Sequence, residues 1–270
     1  MHVQVDDHTV FAYTGGRAFA TADAPVVVLI HGAGHDHSVW NLLARRLAHH
    51  GFAVLAPDLP GHGRSGGGAH ASIEALAAWA ERLLDAAGIA TATLIGHSMG
   101  SLIALQLAAD RPGRIDRLIL VGSVAPMPVA KPLLDAARND RDAAHAMINQ
   151  WSYAPATQLG RSAAPGLHLP NLNLRLMERQ APGVLATDLG ACDAYADGLS
   201  AAARVTAATA LICGARDQMT PPRAARPLQQ ALVNASGGAR MITLDTPGHA
   251  IMAEAPEALA RAVEAFLAPD

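Results

Sequence analysis

Short, mostly apolar runs recur along the chain, at 26–30, 52–56, 91–95, 115–121, 208–213 and 240–244. They are rich in Val, Ile, Leu and Ala, and the run at 26–30 is apolar throughout. Strands covered on both faces look like this, and parallel sheets supply that setting. Between and after them lie segments with helical character, at about 39–50, 71–87, 101–110, 223–233 and 255–267. Gly51 and Gly88 read as stops and Ser72 as a cap. Residues 2–5 and 8–13 instead alternate, as an antiparallel pair turned at Asp6-Asp7 would. Strands alternating with helices predict an α/β protein with a mostly parallel sheet flanked by helices on both faces.

The rhythm breaks from Val124 to about Ala203. This stretch is rich in Ala, Asn and Arg and is cut by prolines at 126, 128, 132, 155, 165, 170 and 182. Short helices broken by prolines are expected, and the stretch is too long for a simple crossover. The predicted organisation is a core of residues 1–123 and 204–270, with 124–203 as an inserted helical cap, or lid.

The candidate chemistry gathers around the run at 91–95. It leads into Gly96-His97-Ser98-Met99-Gly100 and then a helix. A serine at such a strand-to-helix bend takes a strained conformation, and the flanking glycines leave room for it. The bend also sets the Met99 N–H at a helix start, where donors favour negative charge. A second G-x-S-x-G, at 63–67, follows Pro60-Gly61-His62 and runs into more glycine, so it reads as a turn.

A serine hydroxyl needs a base, and the base needs a group to hold it. Asp217 and His249 each follow a predicted strand, and the chain order Ser98, Asp217, His249 is one known for such triads. Parallel strands deliver their C-terminal ends to one sheet edge, where the three side chains can meet. Of thirteen histidines, His249 alone occupies a turn after the acid-bearing strand. Asp193 and Asp197 are fallback acids. An oxyanion hole needs two backbone donors. Met99 is one, and Ala33, between Gly32 and Gly34 in the loop after 26–30, is the other. The segment His31-Gly32-Ala33-Gly34 is similar to the glycine-rich oxyanion segments of esterases. His35-Asp36-His37 has no partner cluster in sequence and is expected at a pocket rim, not on a metal. No metal and no cofactor are expected.

Composition narrows the partners. Hydrophobic residues make up 51% of the chain and aromatics 4%, so the core is aliphatic and alanine-rich. Net charge is −3, and no Lys/Arg run appears, which argues against nucleic acid and anionic membrane. No apolar stretch approaches the roughly 20 residues of a membrane span. The first residues lack the layout of a signal peptide, and Cys192 and Cys213 match no redox or metal spacing. A cytoplasmic protein acting on a small-molecule acyl substrate is expected; the sequence carries no signal for oligomeric state.

Together His31-Gly32, Asp58-x-Pro60-Gly61-His62-Gly63-x-Ser65, Gly96-x-Ser98-x-Gly100, Asp217 and Gly248-His249 make this chain resemble the α/β-hydrolase superfamily, as a serine-nucleophile, cap-containing, esterase- or lipase-like member. The resemblance implies an eight-stranded sheet, a cap inserted after the sixth strand, and a structural role for Asp58–Ser65. Many relatives carry a sixth-position glycine where this chain has Ser101, whose hydroxyl is expected on the helix surface. The reaction implied is hydrolysis of an ester, or a related acyl bond, of a small, largely apolar substrate, as in carboxylesterases. C–C bond hydrolysis of a diketone, cofactor-free perhydrolysis of the haloperoxidase type, hydroxynitrile cleavage and a non-catalytic ligand-binding role are the alternatives.

Overall fold

The computed structural model describes residues 1–22, 24–162 and 166–268. Eight strands form one sheet: β1 (His2–Val5), β2 (His8–Tyr13), β3 (Val26–Ile30), β4 (Ala53–Pro57), β5 (Ala92–His97), β6 (Ile115–Val121), β7 (Ala208–Gly214) and β8 (Arg240–Leu244). Their spatial order is β1-β2-β4-β3-β5-β6-β7-β8. β1, β2 and β4 pair antiparallel, and every pairing from β4 to β8 is parallel.

The apolar runs are explained by two cores. On β3, Val26, Val28 and Ile30 face one core while Val27 and Leu29 face the other. Leu118 and Leu120 of β6 alternate in the same way with Ile119 and Val121. The first core is covered by α2 (Ile73–Ala86) and α3 (Met99–Asp110), the second by α1 (Asn41–His49) and α12 (Pro256–Leu267). A strand feeding both cores has no polar face to show, so alternation is lost. Ser72 caps α2 by accepting from the Ala75 N–H at 3.2 Å.

Two helices differ from the sequence reading. α3 begins at Met99, directly after Ser98, not at Ser101. The final helix, α12, follows the expected 255–267 closely, but a short α11 (Ile251–Glu254) that the sequence reading lacks precedes it, set apart because Pro256 cannot continue a helix from the residues before it. Between β6 and β7 come α4 (Lys131–Asn139), α5 (Arg141–Ser152), α6 (Pro155–Gln158), α7 (Leu169–Glu178), α8 (Val184–Ala194) and α9 (Gly198–Arg204). Their own apolar cluster includes Leu133, Ile148, Met177 and Leu189. α10 (Pro222–Ala231) joins β7 to β8. Among the described residues, no helix is long and apolar enough to cross a membrane.

Candidate active site

β5 delivers Ser98 at φ +52° and ψ −121°, a conformation that costs an L-residue about 1–3 kcal/mol. The surroundings over-determine it. The Ser98 N–H donates to the Val121 carbonyl at 3.0 Å, and the Ser98 carbonyl accepts from the Ser101 N–H at 2.8 Å. Ser101 is fully buried, contrary to the expected place on the helix surface. Its hydroxyl donates to the Ser98 carbonyl at 2.5 Å and lies 2.7 Å from Ser123 Oγ. α3 is covered on all sides, so this helix has no free surface for it. Met99 opens α3, and its N–H is a first-turn donor without an intrahelical partner.

β7 delivers Asp217, whose Oδ1 accepts from the N–H groups of Met219 at 2.8 Å and Thr220 at 2.7 Å. Its Oδ2 lies 2.8 Å from His249 Nδ1 and 2.7 Å from Thr220 Oγ1. A carboxylate only accepts, so His249 carries its proton on Nδ1 and leaves Nε2 as the free acceptor. Burial alone would raise the Asp217 carboxyl. The charge His249 carries when protonated, its hydrogen bond and the hydrogen bonds from Thr220 outweigh burial and hold it down to about 2.

The His249 peptide is clamped on both sides. Its N–H donates to the Ser152 carbonyl at 2.7 Å, and its carbonyl accepts from His97 Nε2 at 2.9 Å. Burial, then the charge of His249, lowers His97 well below the usual histidine value, so it stays neutral. Ser98, His249, Gly32 and Ala33 line one cavity of about 170 Å³, walled otherwise by residues such as Met127, Leu133, Ile148 and Leu189. Asp217 and His249 are hydrogen-bonded; Ser98 lines the same cavity as His249 without a hydrogen bond to the imidazole. Such contacts often tighten only around a substrate.

The loop bearing Ala33 is held from the inserted helices. Asp188 of α8 is buried and accepts from the Gly34 N–H at 2.8 Å. The same oxygen lies 2.8 Å from His62 Nε2. Burial alone would lower His62, but the charge and hydrogen bond of Asp188 outweigh it and raise its pKa. A raised folded-state value means the stabilisation is whole below the usual pH 6.5 and is lost as pH climbs through that raised value. Melting temperature should therefore fall more steeply with rising pH above 6.5 in the parent than in His62→Gln, read by calorimetry. Parallel slopes would mean this pair does not titrate with folding.

Asp58 and Ser65 act structurally. Asp58 Oδ1 accepts from the His37 N–H at 2.8 Å, and its Oδ2 from the Arg64 N–H at 2.9 Å. The Ser65 hydroxyl donates to the Asp58 carbonyl at 2.7 Å. Asp36, His37 and Asp58 cluster, but His37 Nδ1 is spent on Asp58 Oδ1 at 2.7 Å and Asp36 caps the Ser38 N–H at 2.9 Å. His35 Nε2 instead reaches Asn173 Oδ1 at 2.8 Å. The fallback acids lie elsewhere: Asp193 holds the Val129 N–H at 2.9 Å, and Asp197 sits by Ser200. Cys192 and Cys213 are buried free thiols. The sequence assigns no site role to Thr220, Ser152, Asp188 or His97; a local signal exists only for Thr220, in the capped turn that begins at Asp217, and for His97, inside the G-x-S-x-G run.

A family profile described as alpha/beta hydrolase fold matches residues 25–256. The chain is 32% identical over 254 residues to the pimeloyl-[acyl-carrier protein] methyl ester esterase of Aromatoleum aromaticum, covering 89% of this chain and 97% of that protein. An uncharacterised Mycobacterium tuberculosis protein is 42% identical over 109 residues, or 40% of this chain; the match spans about a third, 32%, of that relative. The enol-lactonase of Burkholderia xenovorans LB400 superposes with a TM-score of 0.85 at 25% identity, over 99% of both chains. An esterase of Exiguobacterium antarcticum superposes at 0.83 over 98% of both chains; at 17% identity this speaks for the fold alone. The chain belongs to the alpha/beta hydrolase fold family.

Proposed function

We propose that this protein hydrolyses an ester of a small, largely apolar molecule through an acyl-enzyme on Ser98. The carrying observation is the 2.8 Å Asp217–His249 contact, with Ser98 held at a positive-φ elbow on the same cavity wall. His249 Nε2 takes the Ser98 proton as Oγ attacks the carbonyl carbon. The N–H groups of Met99 and Ala33 receive the oxyanion. His249 returns the proton to the leaving alkoxide, then activates a water that releases the acid and restores Ser98. Asp217 orients the imidazole and stabilises its charged form without itself being protonated. The esterase and lactonase names among the relatives support an ester-type bond. In this reading 124–203 forms a cap over the site, and the apolar residues it contributes to the cavity set selectivity. A fluorophosphonate probe tests the proposal. The parent should label at Ser98, located by peptide mass spectrometry, and Ser98→Ala should not. A parent that fails to label, or labels at Ser65, would overturn the assignment.

A further inference from the structure

His249 stands between two cavities of unequal size. The first, of about 170 Å³, contains Ser98, Gly32 and Ala33. The second, of about 520 Å³, contains none of these three but shares His35, His97, Ser152 and His249 with the first. Its walls include Leu42, Leu172, Leu176 and Met252. The two sides of an ester part company at this point. The acyl carbon bonds to Ser98 Oγ and its oxygen faces the donors of the first cavity. The leaving oxygen must face His249, which supplies its proton, so the alcohol extends toward the second.

We infer that the substrate is an ester of a compact acid with a large, neutral, apolar alcohol, an assignment that rests on the Ser98–His249 reading above. Size sets the first half: a cavity of about 150 Å³ holds a benzene-sized group, and the acyl cavity is barely larger. The alcohol cavity is about three times as large. Leu42 and Leu172 stay 62% and 51% exposed at its wall, apolar surface open to a ligand. Charge sets the second half. Of the arginines lining it, Arg175 is paired with Glu178 at 2.7 Å and Arg179 with Asp36 at 3.3 Å. Among the described residues of that cavity, no cation is left over for an anionic tail.

Octyl acetate and methyl nonanoate are isomers, so their comparison holds overall hydrophobicity fixed. The kcat/KM for octyl acetate should exceed that for methyl nonanoate by about tenfold or more. Leu172→Trp, at a half-exposed site that tolerates bulk, should lower the octyl-to-methyl acetate ratio about threefold or more. Val129→Phe, in the acyl cavity, should lower the ratio of methyl butanoate to methyl acetate instead. Equal rates for the isomers, or preference for methyl nonanoate, overturns the assignment of arms while leaving the esterase reading standing. Labelling by a fluorophosphonate without turnover of either isomer also overturns the assignment alone. Absence of both turnover and labelling overturns the esterase reading itself.

Discussion

Ser98→Ala is expected to cut turnover of a short p-nitrophenyl ester by about 10⁴-fold or more. Without Oγ no acyl-enzyme forms, and what remains is attack by water beside the Met99 and Ala33 donors. The fold should survive, because the elbow is held by backbone contacts that alanine keeps: Ser98 N–H to Val121 at 3.0 Å and Ser101 N–H to Ser98 at 2.8 Å. The loss should therefore appear in kcat with an unchanged circular dichroism spectrum. Activity within tenfold of the parent would remove Ser98 from the mechanism.

Gly100→Ala is expected to destroy the fold. An added Cβ would meet the Ile30 carbonyl oxygen at 2.3 Å and that of His31 at 2.5 Å. At Gly96 it would meet the Gly100 carbonyl oxygen at 2.1 Å. All of these are main-chain atoms of β3, of the residue after it and of α3, so no side chain can swing aside. The cost should exceed about 4 kcal/mol, a large share of the roughly 5–15 kcal/mol that holds a domain folded. Gly113→Ala and Gly190→Ala, where an added Cβ meets nothing within 4 Å, are the matched controls. Soluble yield and the urea midpoint report the outcome. A Gly100→Ala stability within about 1 kcal/mol of the controls would contradict the close approach of α3 to β3.

What the sequence revealed divides by range. The elbow was legible because its demands are local: a strand, a small residue on either side of Ser98, a helix. Asp217 and His249 were legible because strand ends share an edge, and strand ends can be found one at a time. Ser101 departs from its expected place because α3 has no free surface: α2, α9 and the sheet enclose it. Asp188 and Ser152 lay out of reach because their roles depend on partners 154 and 97 residues distant, with no local pattern announcing them. Ser152 acts through its carbonyl, which every residue type possesses.

The backbone hydrogen bond from His249 to Ser152 and the bond from Gly34 to Asp188 give the segment between β6 and β7 a stake in the proposed catalytic geometry. Glu254 adds a third seam, accepting from the Gly248 N–H at 2.7 Å and the Ala154 N–H at 2.9 Å. A chimaera that borrows this region from another hydrolase to import its substrate range would thus lose registration of the imidazole and the glycine loop. Grafts retaining the stretch 152–157 and an aspartate at 188 give the recipient a usable scaffold, with α4 and α7 left free to exchange.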